Sequence, residues 1–173
     1  MRCRFFLPGL IVMSALATPT PGHAQAHESD ALVSHLVGAW SGSGVYDGNR
    51  LELTRVWSLE LGGEFLRADM GVSMPNGATF GALMYWKSAG DGRFEIVWMD
   101  GIGRMQSLSA LTDAASGVVS TEYVDEFAED GPEVRRWEYQ RSGPDAYIER
   151  LNRKVGSEWE LLTEWTFRRI GQE

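Results

Sequence analysis

The sequence predicts an all-β protein, a closed antiparallel β-barrel in which about ten strands meander and one short helix precedes them. Three observations predict this fold. Apolar and polar residues alternate along most of the 173-residue chain. Turn-forming sequences recur at short, regular intervals between the alternating stretches. Beyond Gly38, no segment reads clearly as a helix.

The N-terminal residues 1–26 have the pattern of a cleaved secretory signal peptide, which leaves residues 27–173 as one domain. Arg2 and Arg4 form a positive segment, and residues 5–17 form an apolar run. Ala24-Gln25-Ala26 is a small-x-small cleavage sequence, and Gly22-His23-Ala24 is a second candidate. The apolar run is too short to span a bilayer as a helix. We therefore expect a periplasmic or secreted protein whose mature chain does not insert into a membrane.

Removal of this leader removes the only cysteine, Cys3, so the mature chain would have no thiol for a disulfide, a metal site or a nucleophile. The formal net charge of −8 becomes −10 when the two leader arginines are lost. A negative field repels phosphate backbones, which argues against nucleic-acid binding.

The stretch Glu28–Val37 is the one segment that predicts a helix, because Ser29 or Asp30 can cap its start and Gly38 can end it. About ten strands follow. The turn sequences that separate them are Asp47-Gly48-Asn49, Gly62-Gly63, Pro75-Asn76-Gly77, Gly90-Asp91-Gly92, Gly101-Ile102-Gly103, residues 113–117, residues 129–132, Ser142-Gly143-Pro144 and Gly156-Ser157. Because these loops are short, consecutive strands pair as antiparallel hairpins. Closure into a barrel then removes the two unpaired edges.

The last strand shows the alternation most clearly. One face is expected to carry Trp159, Leu161, Thr163, Trp165 and Phe167, and the other Glu160, Glu164, Thr166 and Arg168, with Leu162 as an exception. The first face is apolar, so it is expected to point into the barrel. The same alternation puts Arg135 with Trp137 and Tyr139, and puts Arg55 with Leu51, Leu53, Trp57 and Leu59.

Seven tryptophans are many for this chain length. Either the rings fill the barrel, or some line a cavity, because a barrel of about eight or more strands has room for a small ligand. The candidate ligand-binding residues are Tyr46, Arg55, Trp57, Trp86, Trp98, Arg135, Trp137, Tyr139 and Trp165. A buried arginine needs a partner, which is either an internal carboxylate or the carboxylate or phosphate of a ligand.

The triplet Gly38-Ala39-Trp40, after a short helix and before the first strand, resembles the start of the lipocalin-like, or calycin, superfamily. The resemblance implies that Trp40 closes one end of the barrel and that Arg168 or Arg169 packs over it. Further motifs extend it over nearly all of the mature chain: Trp40-Ser41-Gly42-Ser43-Gly44, residues 61–66, residues 81–85 and Trp98-Met99-Asp100-Gly101. In this order they resemble a bacterial lipocalin-like family of unknown function, which implies fold and export but no activity.

The Trp-x-Gly-x-Gly sequence at Trp40 also resembles the haem-binding barrels of the nitrobindin type, which hold iron through a histidine in the barrel. Here His23, His27 and His35 all precede the strands. We therefore expect no haem bound through histidine, and we assign no cofactor. A tyrosine or methionine ligand to haem iron remains an alternative.

Other site chemistry is limited by the same residues. Nucleophilic triads and zinc sites need histidine or cysteine, so we expect neither in the barrel. The acidic residues at 125, 126, 129 and 130 are interpreted as a solvated turn rather than a calcium site. A carboxyl at Asp69, Asp100 or Glu149 would be a general acid if it faced an apolar lumen, but an outward salt bridge is expected for each.

Three functions follow as alternatives. The first is a non-catalytic binder of a small, mainly apolar molecule, with acidic ligands held by Arg55 or Arg135. The second is an enzyme that uses an aspartate or tyrosine of the lumen as acid or base. The third is a filled barrel whose outer surface binds a protein. A cavity favours the first two, and a packed lumen favours the third. The sequence leaves the oligomeric state open.

Overall fold

The computed structural model describes residues 31–128 and 130–171. The predicted leader and the first residues of the predicted helix lie outside the described residues. The described part of that helix, α1, covers residues 31–36. In the described part of the chain, no helix has the length and apolar character needed to cross a membrane.

Ten strands form one closed antiparallel barrel in which each strand pairs with the next and the last pairs with the first. This confirms the predicted fold class. The strands are β1 (Gly38–Tyr46), β2 (Asn49–Glu60), β3 (Phe65–Ser73), β4 (Thr79–Gly90), β5 (Arg93–Asp100), β6 (Met105–Asp113), β7 (Val118–Asp125), β8 (Glu133–Gly143), β9 (Ala146–Val155) and β10 (Glu158–Arg169); a single 3-10 turn, Leu61–Gly63, joins β2 to β3.

Local sequence explains the tight turns. Asp47 and Gly48 both have positive φ, 49° and 70°, and so do Asp91 and Gly92, 53° and 71°. Consecutive residues of this conformation form the hairpin turn whose twist matches that of the flanking strands, and Asp-Gly is a favoured pair for it. These turns set the register of the β1–β2 and β4–β5 hairpins.

One end of the barrel is closed by α1 and Trp40, as the resemblance implied. Trp40 is fully buried, and its Nε1 donates to Leu36 O at 2.7 Å. The Arg169 guanidinium carbon lies 4.2 Å from the Trp40 ring centroid, and Arg169 donates to the carbonyl oxygens of Val37 and His35. Arg168 is exposed. Arg169 is therefore the arginine that packs over the tryptophan.

The predicted inner face of β10 is correct only for its C-terminal half. The β9–β10 register shifts between Leu161 and Thr163, so a bulge at Leu162 reverses the alternation. Thr163, Trp165 and Phe167 are buried, but Leu161 is 53% exposed. Trp159 lies on the outer surface, with its ring 4.0 Å from the Arg136 guanidinium carbon. The expected inward positions of Trp159 and Leu161 are therefore wrong.

The predicted inner face of β2 holds from Leu51 to Trp57, which are buried at every second position. Leu59 stays on this face, because it pairs with the buried Leu66, but 50% of its surface is exposed. It lies two residues past Trp57 and just before the 3-10 turn, where the strand leaves the packed core.

Candidate functional site

The half of the barrel opposite Trp40 encloses a cavity of about 580 Å³. It opens toward the turns that join β1 to β2, β3 to β4, β5 to β6 and β7 to β8. Its walls are mainly apolar, and the central ones include Leu53, Met70, Met84, Ile96, Leu108 and Leu151. A cavity of this size can enclose a small organic molecule.

Seven of the nine candidate binding residues line this cavity: Tyr46, Arg55, Trp98, Arg135, Trp137, Tyr139 and Trp165. Trp137 and Trp165 stack with ring centroids 5.8 Å apart, so they form a flat aromatic wall. That these residues contact a ligand stays a prediction.

Trp57 and Trp86 are not among the residues that line the cavity. Both are 1% exposed, and their rings meet edge to face with centroids 5.5 Å apart. Trp86 also meets Tyr139 edge to face, at 4.8 Å. Of the two roles that the sequence left open for the tryptophans, these two rings fill the barrel core, because they pack beneath the cavity floor.

Arg55 lies at the cavity floor and is paired with an internal carboxylate. Its Nη2 donates to Glu149 Oε2 at 3.2 Å, and the two side chains are 2% and 0% exposed. Arg55 Nη1 donates to Thr54 O at 3.0 Å. Of the two partners that the sequence left open for Arg55, the structure shows the internal acid.

Glu149 was expected to face outward, and that expectation is wrong. In β9, Tyr147, Glu149 and Leu151 are all buried, so the carboxylate shares the inner face. The apolar residues two positions before and after Glu149 were the sequence signal that could have placed it inside. The outward position was expected instead because burying a glutamate is unfavourable unless the carboxylate is paired, and the sequence does not show its partner.

A chain of hydrogen bonds holds the Glu149 carboxylate. Trp57 Nε1 donates to Tyr147 Oη, and Tyr147 Oη donates to Glu149 Oε1, both at 3.3 Å. Burial raises the pKa of Glu149, and the Arg55 charge opposes part of that shift. Trp137 favours the charged form of Glu149, although its Nε1 makes no hydrogen bond of ordinary geometry.

Burial also raises the pKa values of the Tyr139 and Tyr147 hydroxyls well above 10.0, and the nearby Glu149 charge adds to the rise. Both phenols are therefore neutral at physiological pH. Glu149 is fully buried and is not one of the residues that line the cavity. The floor thus presents a compensated ion pair rather than a free acid or base.

The second predicted anchor, Arg135, is also paired within the protein. It contacts Asp125 at 2.8 Å and Glu133 at 2.9 Å, and its side chain is 13% exposed. Tyr123 lies beside it, and burial raises the pKa of the Tyr123 hydroxyl. Arg135 faces the lumen as predicted, but two carboxylates already compensate its charge.

Arg104, a residue that sequence reasoning did not select, lies at the cavity rim. It pairs with Asp100 and lies over two rings, 5.8 Å from the Trp98 centroid and 4.9 Å from that of Phe127. Desolvation opposes ionisation of Asp100, but hydrogen bonds from Arg104 and from the Ile102 backbone outweigh it and lower the Asp100 pKa. An ionised Asp100 cannot act as a general acid at neutral pH.

The remaining titratable candidates lie away from the cavity. Asp69 pairs with Arg67 at 2.8 Å, as expected for an outward carboxylate. His35 packs at the closed end, 5.4 Å from the Trp40 ring, where its Nε2 donates to Ala146 O. Among the described residues, no three His, Cys, Asp or Glu side chains are grouped so that they could hold a metal ion.

Comparison with known proteins gives a fold and no family. No family model and no curated protein matches the sequence. The structure of Rv2717c from M. tuberculosis is similar with a TM-score of 0.58 and 16% identity, over 83% of this chain and 98% of that chain. The S-type phycobiliprotein lyase CPES from Guillardia theta is similar with a TM-score of 0.58 and 9% identity, over 90% of this chain and 100% of that chain. The chain thus shares its barrel architecture with both proteins.

Proposed function

We propose that this protein is a non-catalytic binder of a small, mainly apolar, uncharged molecule in the barrel cavity. The observation that carries this proposal is the apolar cavity of about 580 Å³ whose lining arginines are each paired to carboxylates of the protein. Binding in such a lumen is favourable for an apolar ligand, because it removes the apolar surface of the ligand from water. It has no uncompensated cation for an acidic ligand, so acidic ligands are disfavoured.

The geometry favours binding over the two alternatives. A filled barrel would have no such cavity, and an acid–base enzyme needs a titratable group within reach of its substrate. Neither Glu149 nor Asp100 is among the residues that line the cavity, and each is paired with an arginine. Burial raises the pKa values of the Tyr123 and Tyr139 hydroxyls that do line it, so both stay protonated at neutral pH. Similarity to a barrel named as a phycobiliprotein lyase is compatible with a ligand in the lumen. The choice of a binder over an enzyme rests on the state of these titratable side chains.

The test is titration with N-phenyl-1-naphthylamine, an uncharged apolar fluorophore. We expect saturable binding to one site with quenching of tryptophan fluorescence. Leu108→Trp replaces a leucine side chain that lines the cavity with a bulky indole ring and should weaken binding severalfold. Leu111→Trp is the matched control, because Leu111 lies on the same strand and is 53% exposed on the outside. Equal affinity in both variants, or no binding to the wild-type protein, would contradict the proposal.

We further propose that the protein is a calycin-type barrel exported by its N-terminal leader. The basis is the leader pattern in residues 1–26 together with the Trp40 and Arg169 packing at the closed end. N-terminal sequencing of protein recovered from the periplasm or the medium should begin near Gln25 or His27. An intact Met1 in that fraction would contradict cleavage.

A further inference from the structure

The barrel wall is incomplete beside the cavity. The β6–β7 ladder runs only from Ala110, opposite Thr121, to Asp113, opposite Val118. Toward the mouth, β6 stays paired with β5 as far as Met105, and β7 stays paired with β8 as far as Asp125. The facing edges of residues 105–109 and 122–125 therefore share no ladder. We call this gap the β6–β7 cleft.

The cavity reaches into this cleft. In a continuous sheet, only alternate residues of a strand can face the lumen. Here the consecutive residues 105–108 of β6 all line the cavity, and so do the consecutive residues 123–127 of β7 and the turn after it. Outward-facing residues line a lumen only where it passes around the edge of their strand. The cavity thus continues sideways between β6 and β7.

The closing seam of the barrel shows the contrast. The β1–β10 ladder is also short, from Trp40 to Ser43. Beyond it, however, Gly44 lies directly against β10, since a Cβ at that position would come within 2.5 Å of both Glu164 O and a Trp165 ring atom. That seam is filled by close packing, whereas the β6–β7 cleft is lined by cavity.

Few contacts hold the cleft together. Gln106 Nε2 donates to Val124 O at 3.0 Å, and Thr121 Oγ1 donates to Ser109 O at 2.8 Å near its base. At its outer end, the Arg104 guanidinium lies 4.9 Å from the Phe127 ring. The Gln106 and Arg104 contacts are made by single side chains at the surface, which exchange readily with water. They can open without breaking a strand ladder.

We propose that the β6–β7 cleft is the entrance to the cavity and that the bound molecule is amphipathic, with its apolar part in the lumen and an uncharged polar part in the cleft. This inference rests on the proposed binding function. The free edges offer backbone N–H and C=O groups, so the polar part would carry both a hydrogen-bond donor and an acceptor, as a primary amide does. The exposed side chains of Met105, Val124 and Phe127 give the apolar part a path inward.

The decisive experiment locks the cleft. If the ladder register were continued, Ser107 would face Val124, so the pair Ser107→Cys and Val124→Cys, in a Cys3→Ser background, should form a disulfide across the cleft. We expect oxidation to slow both association and release of N-phenyl-1-naphthylamine severalfold in stopped-flow measurements, with a much smaller change in Kd. Reduction should restore the rates. The pair Ser120→Cys and Glu138→Cys, on the fully paired β7–β8 ladder, is the control and should leave exchange unchanged.

Two further measurements keep the inference falsifiable if the disulfide does not close. Gln106→Ala removes the contact to Val124 and should speed probe association and release together. Decanamide should displace the probe about threefold to tenfold better than N,N-dimethyldecanamide, because the latter has no donor. Unchanged exchange in the locked protein, or in Gln106→Ala, would overturn the entrance. Equal displacement by the two amides would overturn the polar part in the cleft. Failure of the wild-type protein to bind the probe would instead contradict the proposed function.

Discussion

At the scale of single residues, the Arg55–Glu149 pair at the cavity floor is a buried ion pair with a structural role. Both groups are removed from water. Glu149 accepts from Arg55 and Tyr147, and Arg55 donates to Glu149 and to Thr54 O, while the buried Arg55 Nε has no hydrogen-bond partner. Such a pair contributes little net stability over an apolar pair, but removing one partner leaves a buried, uncompensated charge.

Replacing Arg55 with methionine should therefore reduce the free energy of unfolding by about 3–5 kcal/mol, measured by chemical denaturation at neutral pH. In this variant Glu149 keeps its proton to higher pH in the native state than in the unfolded state. Stability should then fall as pH rises between those two pKa values, and the loss should be smaller near pH 5 than near pH 8. The double variant Arg55→Met, Glu149→Leu is the control and should recover most of the loss. A single-variant loss below about 1 kcal/mol would show that the pair is not buried as described.

His35 should make the closed end sensitive to acid. Burial lowers the pKa of His35 below 6.5, with Arg141 and Arg169 adding to the shift, while its hydrogen bond to Ala146 and the charge of Asp145 oppose it. Because the unfolded chain then takes up the proton first, the free energy of unfolding should fall as pH drops below about 6.5. His35→Gln should show a flatter dependence on pH. An NMR titration midpoint at or above 6.5 would contradict this prediction.

At the scale of elements, local sequence patterns predicted the turns and most of the inward-facing positions of the strands. The Asp-Gly turns and the alternation of Arg135, Trp137 and Tyr139 are in the structure as expected. The errors arose where one residue depends on a neighbouring strand. The bulge at Leu162 reverses β10, and the inward position of Glu149 depends on Arg55, which lies 94 residues away. The alternation within one strand predicts which of its faces points inward. It does not predict how far two neighbouring strands stay paired, and the β6–β7 cleft results from that pairing.

The Gly-x-Gly sequence of β1 has a specific packing role. A Cβ at Gly42 would come within 2.7 Å of the Phe167 ring, and one at Gly44 within 2.5 Å of Glu164 O. The two glycines leave the space that the β10 rings occupy.

Gly44→Ala should therefore destabilise the barrel by about 1–3 kcal/mol, since either β10 or the Trp165 ring must move. Gly143→Ala is the control, because nothing lies within 4 Å of its Cβ position and its φ is not in the left-handed region. That control should stay within about 0.5 kcal/mol of the wild-type protein. Thermal or denaturant unfolding measures both variants. Equal stability of the two would refute the packing role of Gly44.

At the scale of the whole molecule, the barrel has two unequal halves. The half near α1 is packed with the rings of Trp40, Trp57, Trp86, Tyr147 and Phe167. The other half surrounds the cavity and is open along the β6–β7 cleft. Local opening should cost less free energy where packing and ladder hydrogen bonds are fewer.

Hydrogen exchange followed by mass spectrometry should resolve these halves. Peptides that cover residues 105–109 and 122–125 should exchange faster than peptides from β2 and β3, which are paired from Glu60 with Phe65 to Glu52 with Ser73. The N-terminal part of β7, residues 119–121, is paired on both sides and is an internal reference. Uniform protection around the barrel would show that the cleft is closed in solution.

The closing pair, β1 with β10, also has a consequence for how the chain folds. Every other ladder joins consecutive strands through a short turn, but this one joins the two ends of the barrel. The contacts at the end closed by α1 and Trp40 also join distant parts of the chain: His35 is hydrogen-bonded to a residue 111 positions away, and Arg169 to residues 132 and 134 positions away. Forming them requires closure of almost the whole chain, which carries an entropic cost and slows folding of high-contact-order proteins. Until that step, β1 and β10 are free edges that can pair with other chains, so the unclosed meander is the species most exposed to aggregation.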